Sequence, residues 1–148
     1  MTQPILTALE RRKIIQENAK RIGIDDTFIS NLVETFYGRI RSHDQLGPIF
    51  EEVIGRNWDT HLMKMKSFWA SVAMNAGTYS GQPIPVHRNL TNVNEFHFDM
   101  WLLLFEETLK DIAKHEDVIP YFMDRAKRIA ESLKLAMFGV PELKFEKV

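Results

Sequence analysis

The stretch Thr27–Arg41, TFISNLVETFYGRIR, decides the fold class of this 148-residue chain. Apolar side chains recur along it every four positions, at Phe28, Leu32, Phe36 and Ile40. This spacing is typical of one buried face of an α-helix, and Tyr37 widens that face. The chain contains no segment with the alternation and turn chemistry expected of strands. The sequence therefore predicts an all-α fold.

Four further helices are predicted from the same periodicity and from residues that start and stop helices. Their approximate ranges are Leu6–Ile22, Asn57–Met74, Asn92–Lys114 and Ile119–Phe138. Gly23 and Gly139 are expected to end the first and the last of these helices. Asp25 is expected to cap the Thr27–Arg41 helix, and Asn92 with Glu95 resembles a capping box.

Two segments are predicted to interrupt the helices. Gly47-Pro48 is expected to interrupt the helical structure and leave Ile49-Phe50 in a turn or a short helical corner. The stretch Asn75–Pro85 contains two glycines and two prolines, which predicts a loop.

Composition predicts one domain over residues 1–148 and excludes several classes of function. The net charge of −1 gives no electrostatic basis for binding nucleic acid or an anionic membrane. The chain has no cysteine, which excludes disulfides and thiolate metal sites. The N-terminus lacks the layout of a signal peptide, and no apolar run approaches the roughly 18 residues of a membrane span. We therefore expect a cytoplasmic protein.

Motifs of other chemistries are absent from the sequence. It has no His-x-x-x-His or Glu-x-x-His pair of the zinc and di-iron type, and no glycine-rich phosphate loop. The paired acids Glu51-Glu52 and Glu106-Glu107 diverge on a helix, so we expect them to be surface residues.

Three polar side chains, Tyr37, His61 and Trp101, stand on otherwise apolar helical stripes. Each has two interpretations. The first is ordinary core packing with the polar atom bonded nearby, and the second is a hydrogen-bonding group aimed into an internal cavity. Met65, one turn after His61, adds a soft apolar group to the same helix face. The residues alone leave both interpretations open.

His87 follows Pro83 and Pro85 in a short connecting segment. Exposure to solvent is the default for a loop histidine, but such a segment can also turn one ring nitrogen into a closed interior. With Tyr37 and His61 across that interior, His87 is predicted to be the proximal ligand of a haem iron and the other two a distal pair. His97 either lies at the edge of its helix or contacts an anionic group of the cofactor.

The chain resembles the truncated haemoglobins, and among them group III, over about residues 28–137. The segments that carry the resemblance are, in chain order, Phe36-Tyr37, Asp44–Phe50, Trp58–Leu62, Phe68-Trp69, Tyr79–Pro83, His87–Leu90 and Phe96–Trp101. The double-glycine motifs of the other groups are missing, since Asn75-Ala76-Gly77 stands where one would fall. Each segment is short, but their order and spacing together are specific.

The resemblance implies a two-over-two helical sandwich around haem b (iron protoporphyrin IX). At matching positions His87 is the proximal iron ligand, Phe50 packs against the haem face, and Tyr37, His61 and Trp101 form the distal polar set. The remaining residues that we predict to contact the cofactor are Met65 and Phe68, with Lys64, Arg88 and His97 as partners of the propionates.

The function implied by the resemblance is reversible binding of O2 and other diatomic gases such as NO or CO, with delivery of O2 under low oxygen. The alternative is a haem enzyme that performs NO dioxygenation or peroxidase-like chemistry with an external reductase. Rapid mixing of the oxygenated protein with NO and measurement of peroxide turnover separate these two. A third alternative is a haem-free helical interaction module. A Soret band in the absorption spectrum of the purified protein would exclude it.

Overall fold

The computed structural model describes residues 7–74 and 92–139, and all the regular structure in these two ranges is helical. The helices there are α1 (Ala8–Arg21), α2 (Asp26–Ser42), α3 (Leu46–Ile54), α4 (Trp58–Met74), α5 (Glu95–Ile112) and α6 (Val118–Phe138). The all-α prediction is confirmed, and five of these helices lie close to their predicted bounds. Within the described ranges, none of them is both long and apolar enough to span a lipid bilayer.

Local side-chain bonds set where α2 and α5 begin. The Asp25 carboxylate accepts a hydrogen bond from the Phe28 N–H at 2.8 Å, as the sequence predicted for the start of α2. The predicted capping box of Asn92 and Glu95 is wrong. Instead, Asn94 caps α5 by accepting from the His97 N–H at 3.2 Å, and His97 Nδ1 accepts from the Asn94 N–H at 3.0 Å. A histidine ring nitrogen here replaces the usual glutamate oxygen.

The prediction for Gly47-Pro48 is confirmed in part: the helix is interrupted here and Ile49-Phe50 lie in a short helix, but the interruption comes before Gly47, between Ser42 and Leu46. Both residues lie in the first turn of α3, so Ile49 and Phe50 are helical. Pro48 is tolerated because the first N–H groups of a helix have no partner within it. The sequence pattern of a glycine followed by a proline therefore marks the start of a helix here.

The beginning of α3 is fixed by its contact with the end of α2. His43 Nδ1 accepts hydrogen bonds from the N–H groups of Gln45 at 3.2 Å and Leu46 at 3.1 Å. A Cβ atom on Gly47 would lie 2.8 Å from the Arg41 carbonyl oxygen, closer than such atoms approach. Glycine thus lets α3 start directly against α2, which brings Phe50 to the interior.

The helices form two layers, α2 with α4 and α5 with α6, with α1 packed against α4. One fully buried aromatic residue from each of the four layer helices meets at the centre: Phe36, Trp69, Phe105 and Phe122. Phe105 stacks on Trp69 with 4.9 Å between ring centroids and meets Phe36 edge-on at 5.0 Å. This cluster joins the two layers into a two-over-two sandwich.

Tyr121 links the two layers through a polar bond. Its hydroxyl donates to the Ala73 carbonyl at 2.6 Å, one of the last carbonyls of α4, which have no partner within the helix. We expect Tyr121→Phe to lower the free energy of unfolding by about 1 kcal/mol, since a part-buried acceptor loses its donor. Denaturant unfolding measures this, and a midpoint equal to that of the wild type would contradict it.

Candidate functional site

An apolar cavity of about 230 Å³ lies between the two helical layers and α3. Its lining is mainly aliphatic and aromatic. The apolar residues come from α3 to α6 and from the segment just before α5: Leu46, Ile49, Phe50, Val53, Ile54, Met65, Phe68, Val93, Phe98, Ile129, Ala130 and Leu133. Five lining side chains carry a nitrogen or oxygen atom: Tyr37, His61, Trp69, His97 and Trp101. A mostly apolar cavity with a few polar groups is typical of a site for an organic cofactor.

Tyr37 and His61 stand next to each other on the wall of this cavity. Their rings meet edge-on, with 5.0 Å between centroids and an interplanar angle of 84°. Tyr37 is only 4% exposed because the apolar stripe of α2 turns it inward beside Phe36. The Nε2 atom of His61 is buried as well. The structure therefore places a phenol and an imidazole together in an apolar setting.

Trp101 reaches the same cavity from α5. Its ring stacks on Phe105 at 5.2 Å with an interplanar angle of 7°, and it meets Phe36 edge-on at 5.2 Å. The two core rings thus hold the indole in one plane. The three polar residues singled out in the sequence come from three helices and line one cavity.

The apolar residues predicted to contact a cofactor, Phe50, Met65 and Phe68, also line the cavity. Phe50 is half-buried on α3, and its ring centroid lies 6.1 Å from that of Tyr37. Met65 and Phe68 follow His61 along α4, at the spacing of a single helix face.

The residues predicted to hold the anionic groups of the cofactor have different placements. His97 lines the cavity, and because its Nδ1 accepts a hydrogen bond, the neutral ring carries its proton on Nε2. Lys64 is exposed and does not line the cavity. Arg88 and the predicted iron ligand His87 lie outside the described residues. Within residues 7–74 and 92–139, no three His, Cys, Asp or Glu side chains cluster as a metal site.

One arrangement beside the cavity was missed in the sequence. Glu51 Oε1 accepts hydrogen bonds from Trp58 Nε1 at 3.0 Å and from Arg41 Nε at 3.1 Å, and the Arg41 guanidinium lies 4.5 Å from the centre of the Trp58 ring. We call these three residues the Glu51 cluster. Glu51 was expected to be a surface acid, and its side chain is indeed 45% exposed, but it joins α2, α3 and α4. Only the position of Trp58 three residues before His61 hinted at this contact.

Comparisons with known proteins agree on one family. The family model described as bacterial-like globin matches residues 19–135. The chain is 35% identical over 118 residues to the group 3 truncated haemoglobin of Campylobacter jejuni, covering 78% of this chain and 92% of that relative. The crystal structure of the group III truncated haemoglobin from Campylobacter jejuni superposes with a TM-score of 0.72, at 35% identity and the same coverage.

Proposed function

Because the chain belongs to the bacterial-like globin family, and within it to the group III truncated haemoglobins, we propose that it reversibly binds O2 and other diatomic gases at a haem in the cavity described above. The observation that carries this proposal is the convergence of Tyr37, His61 and Trp101 on one apolar cavity. These three groups come from three different helices, and a mostly apolar cavity with a few convergent polar groups is typical of a site for an organic cofactor or a small ligand.

The residues of the cavity fit a haem. A porphyrin is flat and apolar at its faces, and the lining offers large flat or flexible apolar side chains such as Phe50, Met65 and Phe68. When bound, haem b would supply an iron that a histidine of the protein could hold and that could bind a diatomic gas. We propose His87 as the proximal ligand, in line with the family resemblance. Val93, six residues further along the chain, lines the cavity.

On the distal side, the polar side chains of the cavity would form hydrogen bonds with a bound gas. Tyr37 and Trp101 would each offer a hydrogen-bond donor to a polarised gas ligand such as O2 in the cavity, which would stabilise the ligand and slow its release. The apolar surroundings keep water away and strengthen these bonds. The ring of His61 contacts those of Tyr37 and Trp58, and its movement would alter how a gas enters the cavity.

The propionates of the haem need donors at the mouth of the cavity. We propose His97 as one of them, because its capping bond to Asn94 fixes the ring and leaves Nε2–H as the donor. Arg88 is a second candidate by its place in the sequence. Lys64 is exposed and reaches a propionate only from the outer rim.

Phe50→Ala should speed the loss of haem by a few-fold. An edge-on or stacked aromatic contact is worth about 0.5–1.5 kcal/mol, and alanine removes it while leaving α3 intact. Transfer of haem to an excess of a haem-binding acceptor protein measures the rate. Phe96→Ala is the matched control, because Phe96 is 59% exposed and does not line the cavity. Equal rates of haem loss in the two variants would count against a packing role for Phe50.

Reversible oxygenation tests the proposed function. The ferrous protein is cycled between argon and O2, and the visible spectrum is recorded at each step. We expect the two spectra to interconvert over several cycles. Immediate oxidation to the ferric form at the first addition of O2, without a stable oxygenated spectrum, would contradict reversible binding.

A further inference from the structure

We propose that Glu51 is a positioning residue that fixes the ring of Trp58 and, through it, the rings of His61 and Tyr37. The effect on gas binding rests on the proposed function, whereas the effect on the rings does not. Glu51 touches no gas or cofactor in this account and acts only through Trp58.

The first step is the bond between Glu51 and Trp58. Trp58 is 6% exposed, and its indole has a single polar handle, the Nε1–H. A buried indole N–H needs an acceptor, and the carboxylate of Glu51 supplies one from the neighbouring helix at 3.0 Å. A hydrogen bond to an ionised acceptor is stronger than one between neutral groups, so this bond selects one orientation of the indole.

Arg41 holds the other side of this arrangement. Its Nε donates to the same oxygen of Glu51, and its guanidinium covers the face of the Trp58 ring. Arg41 stands at the end of α2, Glu51 in α3 and Trp58 at the start of α4. The Glu51 cluster therefore sets how the first turn of α4 sits against the end of α2. The ion pair itself is half-exposed and contributes little alone.

The second step leads from Trp58 to the cavity. Its ring meets the ring of His61 edge-on, at 5.8 Å and 87°, and lies 6.2 Å from the ring of Tyr37 at 62°. Trp58 does not line the cavity, so it forms a layer behind the two polar residues that do. An indole free to tilt would release His61 first, since the two contact each other directly within the first turn of α4.

The structure provides a matched control for this proposal. Glu34 on α2 pairs with Lys66 on α4 at 2.7 Å, with Glu34 53% exposed. This ion pair joins α2 to α4 as the Glu51 cluster does, but it has no contact with Trp58 and does not line the cavity. Glu34→Ala thus removes a comparable surface bond and leaves the indole in place.

The test compares Glu51→Ala, Glu51→Gln, Trp58→Phe and Glu34→Ala in the haem-loaded protein. We expect Glu51→Ala to speed exchange of the Trp58 indole proton with water by about tenfold or more, because the bond that protects it is lost. The NMR signals of the His61 and Tyr37 rings should shift in Glu51→Ala and Trp58→Phe. Glu51→Gln should restore much of the wild-type behaviour, since its amide oxygen still accepts from the indole.

A second readout tests the same proposal at the gas. The infrared C–O stretch of the CO-bound ferrous protein should gain a second band in Glu51→Ala and Trp58→Phe, and the O2 association rate should change by about threefold. If the two residues act together, the double variant Glu51→Ala/Trp58→Phe should change the C–O stretch and the O2 association rate little more than either single variant does. Glu34→Ala should match the wild type in all of these measurements.

The outcomes separate the two proposals. A protein that binds haem but no gas would overturn the proposed function, while the indole exchange and the ring signals would still decide the role of Glu51. Unshifted His61 and Tyr37 signals in Glu51→Ala, or equal shifts in Glu51→Ala and Glu34→Ala, would overturn the positioning role. If Glu51→Ala fails to fold, Trp58→Phe takes its place, because it removes the indole N–H that Glu51 accepts from. Unshifted His61 and Tyr37 signals in Trp58→Phe would then overturn the positioning role.

Discussion

Replacing His87 with alanine should reduce the haem content of the purified protein from about one per chain to a trace. Even the partners that orient a metal ligand contribute about 10–100-fold to affinity, so loss of the ligand itself should cost about 100-fold or more. Added imidazole should restore a bound spectrum, because it supplies the same donor atom to the vacated position. The haem absorbance per chain, with and without imidazole, measures both effects.

His61→Ala is the control for this experiment. His61 lines the cavity beside Tyr37, and in this account it stands on the gas side. We therefore expect His61→Ala to keep its haem. Haem loss in His61→Ala with normal content in His87→Ala would reverse the assignment of the proximal ligand.

The second large effect is expected at the distal side. Tyr37→Phe and Trp101→Phe should each speed O2 release by about threefold to tenfold, because a hydrogen bond worth about 0.5–1.5 kcal/mol is lost. Phenylalanine keeps the ring of Tyr37 and its contact with Phe36, and at position 101 it keeps an aromatic ring, smaller than the indole, beside Phe105. CO is less polar when bound and should respond less. Stopped-flow measurement of O2 and CO release gives these rates.

Tyr121→Phe is a matched control for Tyr37→Phe. It removes the same hydroxyl from a tyrosine that bonds to the Ala73 carbonyl and does not line the cavity. Its O2 release should stay at the wild-type rate although the fold is less stable. If Tyr37→Phe and Trp101→Phe both release O2 within twofold of the wild type, the polar groups are only core residues.

Most of the helices could be predicted from the sequence because the signals for them, apolar periodicity and capping residues, lie within a few positions of each other. The stripe from Phe28 to Ile40 and the cap at Asp25 depend on neighbours one turn away, and α2 has both. The start of α3 could not be predicted in this way. A glycine followed by a proline often marks the end of a helix. Here Gly47-Pro48 lies at the start of one, because His43 accepts from the Leu46 N–H and Gly47 packs directly against the Arg41 carbonyl.

The candidate site was likewise predictable only where it depends on local sequence. The inward faces of Tyr37, His61 and Trp101 follow from helical periodicity, whereas their convergence follows from the packing of three helices. The role of Glu51 was out of reach, because an exposed acid shows no pattern until the fold brings Trp58 and Arg41 to it. The assignment of His87 stays a prediction, since it lies outside the described residues.

The absorption spectrum of the purified protein in its ferric, ferrous and CO-bound forms tests the central claim most directly. A histidine-ligated haem in the cavity predicts a Soret band in all three forms, with a shift when the iron is reduced and a further shift when CO binds. The same bands should appear when the haem-free protein is loaded with iron protoporphyrin IX. A colourless protein that takes up no added haem, or a Soret band that does not respond to CO, would contradict the account.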